Sequence, residues 1–340
     1  MKIVRTDAEL QTPVIDARLK QMGHELVLLE DGISEDNLIA ATADADLLLM
    51  CYTPITKRVI ESSPKLKGII KYGVGIDAID IDTAKQHGIA VVNVPEYAEE
   101  TVAEGAFTLL LALAKKLLPL DRHMKAQGWA WPEPQWLASD IAGKTVGLIG
   151  FGKIGKSMAR MAGAGFRARV IAYSPYTPAD EMQVLGVEPY TDLQALMQES
   201  DFVSVHCVLT PETHHLIGEQ QIQAMKPTAF LINVSRGAIV DESALLAALQ
   251  QNNIAGAGLD VYQQEPLARE GHPMSALYDH PLVMLSPHLT FYTHEAMHRL
   301  ESETIQRCSE VLAGEPVLIK SADSRLAGQG EKARYDVEDA

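Results

Sequence analysis

Cysteine is scarce. The 340 residues contain three, Cys51, Cys207 and Cys308. They are scattered and odd in number, which excludes a disulfide framework and leaves no paired spacing for zinc or a redox couple. A reducing, cytoplasmic compartment is the expectation. Basic residues are also short, 29 Lys and Arg against 45 Asp and Glu, for a formal net charge of −16. That argues against a broad nucleic-acid-binding surface, although not against a local basic site for a small anion. Long apolar runs are missing as well. The N-terminus, MKIVRTDAEL, carries no signal-peptide core, and the longest apolar stretch, 106–114, is too short to span a bilayer. No membrane partner is expected. The histidines show no HExxH pattern. His294 and His298 share a helix face without a third ligand, and His214 and His215 fit no ligand context, so all four read as structural and no metal site is expected.

What is present is an alternation of short β-branched runs with helical patterns. That pattern predicts an α/β fold with parallel sheets. In the first third, strands are predicted at 2–5, 25–29, 46–50, 68–71 and 89–92. A long apolar helix follows at about 101–117, where Pro119 should end or kink it. A second alternating block starts at Lys144, with strands at 145–149, 169–173, 203–206, 229–233, 255–259 and 282–285. The last helix is predicted over about 293–312. From Ser321 the chain is polar and charged, which predicts a disordered tail over 321–340.

The segment TVGLIGFGKIGKSMA carries the most specific local signal. A strand runs into Gly150-Phe-Gly152-Lys153-Ile154-Gly155, and a helix starts there. Gly150 permits a tight turn, Gly152 lets backbone approach a pyrophosphate, and Gly155 lets helix and strand pack closely. The phosphates of a dinucleotide would lie at the helix N-terminus. About twenty positions on, an acidic residue usually holds the ribose of NAD. Ser174 stands there instead, and no arginine directly follows to grip a 2′-phosphate. NAD is the favoured cofactor, with NADP open.

Three further segments end predicted strands: Asn233-Val234-Ser-Arg236-Gly237, Gly258-Leu-Asp260-Val-Tyr-Gln-Gln-Glu265-Pro266 and Ser-Pro287-His288. In open α/β sheets, ligands bind outside the carboxyl ends of the strands. Taken singly, Arg236 reads as a surface arginine, Glu265 as a turn residue and His288 as a loop histidine. Their joint placement points to a site.

Together with Lys71-Tyr-Gly73-Val74-Gly75-Ile-Asp77, Asn93-Val-Pro95, Val102-Ala-Glu104 and Leu209-Thr210-Pro211-Glu-Thr213, these segments resemble the D-isomer-specific 2-hydroxyacid dehydrogenase family over roughly residues 1–315. The resemblance implies two Rossmann- or flavodoxin-like domains. The cofactor domain, 99–289, would be inserted into a discontinuous substrate domain, 1–98 plus 290–340. It implies hydride transfer between a nicotinamide cofactor and a small 2-oxo or D-2-hydroxy acid, and a homodimer. Arg236 would bind and polarise the substrate, and His288 with Glu265 would form an acid/base pair. The Val74 and Gly75 amides would cradle the substrate carboxylate. Gly150, Gly152, Lys153, Ile154, Gly155, Ser174, Thr210, Val234 and Asp260 would line the cofactor, with Asp260 at the nicotinamide carboxamide. Tyr52, Phe291 and Tyr292 could border the substrate, and Trp129, Trp131 and Trp136 read as packing at a domain or dimer interface. SPHLTFYTHEA also resembles the co-repressor branch of the family, so an NAD(H)-sensing interaction module with little turnover is the alternative. A formate-type enzyme would carry glutamine at Glu265.

Overall fold

Runs rich in Val, Ile and Leu form strands whose side chains are buried on both faces, which parallel sheets require when helices cover them. The structure, a computed structural model, describes residues 1–336 and divides into two units. The first is Met1–Ala98 together with the chain from Thr293 onward; the second is Glu99–Tyr292.

In the first unit, β1 (Lys2–Arg5), β2 (Glu25–Leu28), β3 (Leu47–Met50), β4 (Gly68–Lys71) and β5 (Ala90–Asn93) form a parallel sheet in the order β2-β1-β3-β4-β5. In the second, β6 (Thr145–Ile149), β7 (Arg169–Tyr173), β8 (Glu188–Tyr190), β9 (Phe202–Val205), β10 (Phe230–Asn233), β11 (Gly256–Leu259) and β12 (Val283–Leu285) form a parallel sheet in the order β12-β11-β10-β9-β6-β7-β8. The α/β class is as the alternation implies. Strand β8 has no counterpart among the predicted strands. It is short, lies at the sheet edge and contains Pro189, which an edge position tolerates because that position needs fewer ladder bonds. Chain order reverses between β6 and β9, so the carboxyl ends of these two strands mark the sheet's switch point.

The long helix is Glu99–Ala114, and a second helix, Leu117–Gln127, follows a left-handed Lys116 at φ 52°. The break therefore falls before Pro119, which lies in the first turn of the new helix, where its missing N–H costs nothing.

The tail differs from the expected disorder. β13 (Val317–Ile319) pairs with β14 (Ala333–Tyr335), and short turns of 3₁₀ helix occupy Ser324–Leu326 and Gly330–Lys332. Leu326 is fully buried. Gln329 completes the edge of the first sheet: its side chain accepts from the Val91 N–H (2.7 Å) and donates to the Val91 carbonyl (2.8 Å), as another strand would. One amide side chain anchors the segment, which composition does not reveal. Residues 337–340 of the expected tail lie outside the described residues.

Gln329→Ala should leave both Val91 groups buried without partners and cost about 2 kcal/mol or more. Urea unfolding measures this, and an unchanged midpoint would contradict the anchoring role.

Candidate active site

The second unit brings the glycine turn to the switch point. Gly150 follows β6 at φ 96°, and a Cβ there would lie 2.5 Å from the Cys207 nitrogen, just past β9. A Cβ at Gly155 would lie 2.5 Å from the Gly150 carbonyl oxygen. At Gly152, the N-cap of helix Lys153–Arg160, a Cβ would meet nothing within 4 Å, and no side chain caps the helix. Two glycines are thus demanded by protein packing, and the third faces open space at a helix N-terminus that no side chain caps. That is the fit a pyrophosphate needs. Past β7, the Ser174 hydroxyl is 2.9 Å from the Thr177 hydroxyl. Thr210 bonds within its own turn through Thr213, and Val234 is buried after β10.

The adjacent strands β10, β11 and β12 deliver Arg236, Glu265 and His288 to the same edge of the sheet. The turn after β10 is held by Asn233, whose side chain donates to the Arg236 carbonyl (2.9 Å) and accepts from the Ser235 N–H (3.1 Å). The Arg236 guanidinium donates to the Ser235 carbonyl at 2.8 Å. A Cβ at Gly237 would lie 1.9 Å from the Tyr262 carbonyl carbon, so only glycine lets the arginine turn rest on the peptide that leads to Glu265.

Glu265 and His288 are paired. The Nδ1 of His288 is 2.8 Å from Oε2 of Glu265, and Oε1 accepts from the Tyr262 N–H at 2.9 Å. With Nδ1–H donating to the carboxylate, the tautomer of the ring is fixed. His288 has φ 58°. A left-handed backbone at a non-glycine residue costs about 1–2 kcal/mol, and such strain collects at functional sites. Burial pushes the Glu265 carboxyl up. The His288 hydrogen bond and charge, the Tyr262 amide and the Arg236 charge outweigh it and hold the carboxyl below the usual range.

The residues behind this pair carry no motif. Glu242 accepts from the Gln263 N–H (2.7 Å). His272 is buried. Its Nδ1 accepts from the Met274 N–H (3.0 Å), which leaves Nε2–H to donate to the Gln264 carbonyl (2.9 Å). Tyr262 reaches the Leu259 carbonyl (3.2 Å) and the Ser286 carbonyl (3.1 Å), spanning β11 and β12. Only the geometry of the 262–265 turn identifies these residues. Asp260 directly follows β11. It is fully buried, and its oxygens accept from the Leu289 N–H (2.9 Å), the Thr290 N–H (3.1 Å) and the Thr290 hydroxyl (2.6 Å). It fixes the backbone beside His288. Among the described residues no group of three His, Cys, Asp or Glu could hold a metal ion, and no helix is long and apolar enough to cross a membrane.

In the first unit, Val74 and Gly75 follow β4 in a loop that Asn93 steadies by donating to the Val74 carbonyl at 2.7 Å. Neither amide donates to another group among the described residues.

The profile of a family described as "D-isomer specific 2-hydroxyacid dehydrogenase, NAD binding domain" matches residues 107–290. A glyoxylate reductase of Korarchaeum cryptofilum is 42% identical over 270 residues, which is 78% of this chain and 80% of that protein. The chain belongs to the D-isomer-specific 2-hydroxyacid dehydrogenase family. The D-lactate dehydrogenase of Aquifex aeolicus, solved with NAD and lactic acid, is similar at TM-score 0.82 and 30% identity, over 92% of this chain and 96% of that one. An NADPH-dependent glyoxylate/hydroxypyruvate reductase of Sinorhizobium meliloti, solved with NADP and malonate, matches at TM-score 0.82 and 27% identity over 99% of both. This dehydrogenase transfers hydride between a nicotinamide cofactor and a 2-oxo or 2-hydroxy acid.

The stabilisation that follows from the lowered Glu265 carboxyl is present above the ordinary carboxylate range and is lost as pH falls through the lowered value. His288→Ala removes the largest opposing influences and leaves burial, so the Glu265 carboxyl should titrate at higher pH in the variant. Carboxyl ¹³C NMR measures this, and an unmoved titration would contradict the pairing.

Proposed function

We propose that this dehydrogenase reduces a small 2-oxo acid of the glyoxylate type with NADH, using Arg236, Glu265 and His288. The observation that carries the assignment is the 2.8 Å Glu265–His288 contact beside Arg236, at the carboxyl ends of three adjacent strands. The bound nicotinamide supplies the hydride. Arg236 offers a planar fork of donors to the substrate carboxylate or the polarised carbonyl. His288 Nε2 gives a proton to the oxygen as it gains charge, and the Glu265 carboxylate steadies the imidazolium and its tautomer. In the first unit, Val74 and Gly75 present amides for the carboxylate. The Gly150–Gly155 turn, with Lys153 and Ile154, takes the pyrophosphate. Ser174, Thr210, Val234 and Asp260 follow as cofactor contacts, Asp260 at the nicotinamide carboxamide, and Asp260 also holds the backbone beside His288. Korarchaeum's relative being a glyoxylate reductase supports the substrate class. NAD is favoured over NADP because no arginine directly follows Ser174 to meet a 2′-phosphate.

The proposal extends to a cytoplasmic homodimer. Its three cysteines are free, as a reducing compartment would keep them. Trp129, Trp131 and Leu137 are each at least 70% exposed, and the two indoles meet edge to face at 6.3 Å. Apolar surface of this kind suits a second copy of the chain. Trp131→Ser should weaken the dimer, read as a smaller mass by light scattering at low micromolar protein. A wild type that is monomeric under those conditions would refute the assembly.

The activity itself is tested by absorbance at 340 nm with NADH and NADPH against glyoxylate, hydroxypyruvate, pyruvate, phenylpyruvate and 3-phosphohydroxypyruvate. Turnover should be fastest with a small acid and NADH. His288→Asn should lower kcat by about 10²–10⁴-fold. Tight dinucleotide binding without turnover of any acid would favour an NAD(H)-sensing module instead.

A further inference from the structure

Lys71 ends β4, two residues before the loop that offers the Val74 and Gly75 amides. It is 5% exposed. A buried ammonium normally has a carboxylate beside it, because an uncompensated charge away from water is expensive. Lys71 forms no ion pair among the described residues. It donates to the Cys51 carbonyl oxygen, lies 3.3 Å from the Cys51 sulfur, and stands 5.1 Å from the centre of the Tyr52 ring. All three neighbours are neutral.

The acid of the surrounding network is already committed. Asp7 accepts from the N–H groups of Cys51, Tyr52 and Thr53 and from the hydroxyls of Thr6 and Thr53, which engages both of its oxygens and leaves it in no direct pair with Lys71. The ammonium lies directly under the loop. A Cβ built on Gly73, which has φ 152°, would lie 3.0 Å from Lys71 Cε and 3.2 Å from Nζ. An ammonium with no ion pair among the described residues therefore lies beside Gly73, which leads into two backbone amides that have no acceptor among the described residues.

We propose that Lys71 is a substrate-binding charge. It attracts the carboxylate held by the Val74 and Gly75 amides, and it makes the enzyme select 2-oxo acids over uncharged 2-oxo compounds. This rests on the reading of that loop as the carboxylate cradle. Two neutral amides supply direction, and the ammonium supplies the charge that two dipoles lack. The carboxylate in turn supplies the direct ion pair that the ammonium lacks.

The test compares wild type, Lys71→Met and Lys71→Gln. KM and kcat are measured for the best 2-oxo acid, and the dissociation constant for NADH by fluorescence. Methionine removes charge and hydrogen bond together, whereas glutamine keeps a donor for the Cys51 carbonyl but carries no charge. Both variants should raise KM by about tenfold or more, a lower bound, since a unit charge about 4 Å away at an effective dielectric of roughly 20 would give more. NADH affinity should not change. If Lys71→Gln restores the wild-type KM, the hydrogen bond and not the charge matters, and the proposal fails. It fails equally if neither variant shifts KM, or if both lose the fold. If the wild type turns over no 2-oxo acid, it is the proposed function that fails, and that is known before either variant is made.

Discussion

The hydrogen bond between Glu265 and His288 is the contact on which the rest of the second unit's site depends. A histidine that moves a proton needs one fixed tautomer and one fixed ring direction, and the carboxylate provides both. That carboxylate is useful only if its own backbone is held. The 262–265 turn is gripped at successive residues: Glu242 takes the Gln263 amide, His272 takes the Gln264 carbonyl, and the Tyr262 amide is bound by Glu265 itself. On the histidine side, Asp260 draws in the amides of Leu289 and Thr290, which helps retain the left-handed backbone at His288. Each bond is modest. Together they over-determine a geometry that neither residue would keep alone.

The charged groups follow the same logic. Burial raises the Glu242 carboxyl, and the Gln263 amide and His272 oppose this while the nearby Glu265 charge adds to it. Glu265 is driven the other way because His288 is its direct partner. Lys71, in the first unit, is buried without an ion pair among the described residues. Polar groups whose placement costs stability gather at the strand ends, while both sheets below them are apolar.

Much of this was legible in the sequence, for physical reasons. Buried parallel strands are near-continuous runs of Val, Ile and Leu, so most of both sheets could be read from composition and spacing. Gly150 and Gly155 are demanded by backbone contacts closer than any side chain allows, and such demands leave a motif. Arg236, Glu265 and His288 end strands, where side chains converge. Strand β8 was not legible, because three residues containing a proline give no strand signal. The ordered segment at 321–336 was hidden because one glutamine side chain, not an apolar run, ties it to Val91. Glu242 and His272 were hidden because they act on backbone groups, and no residue pattern encodes which carbonyl a side chain will meet. Asp260 was noticed, but its burial and its hold on the His288 segment emerge only from the fold.

The most direct test of the central claim is the pH dependence of kcat/KM for reduction, in the wild type and in Glu265→Gln. If the carboxylate holds the His288 ring and its tautomer for proton donation, the variant should be slower than the wild type across the profile. Superimposable profiles would show that Glu265 has no part in the proton transfer, and would contradict the account.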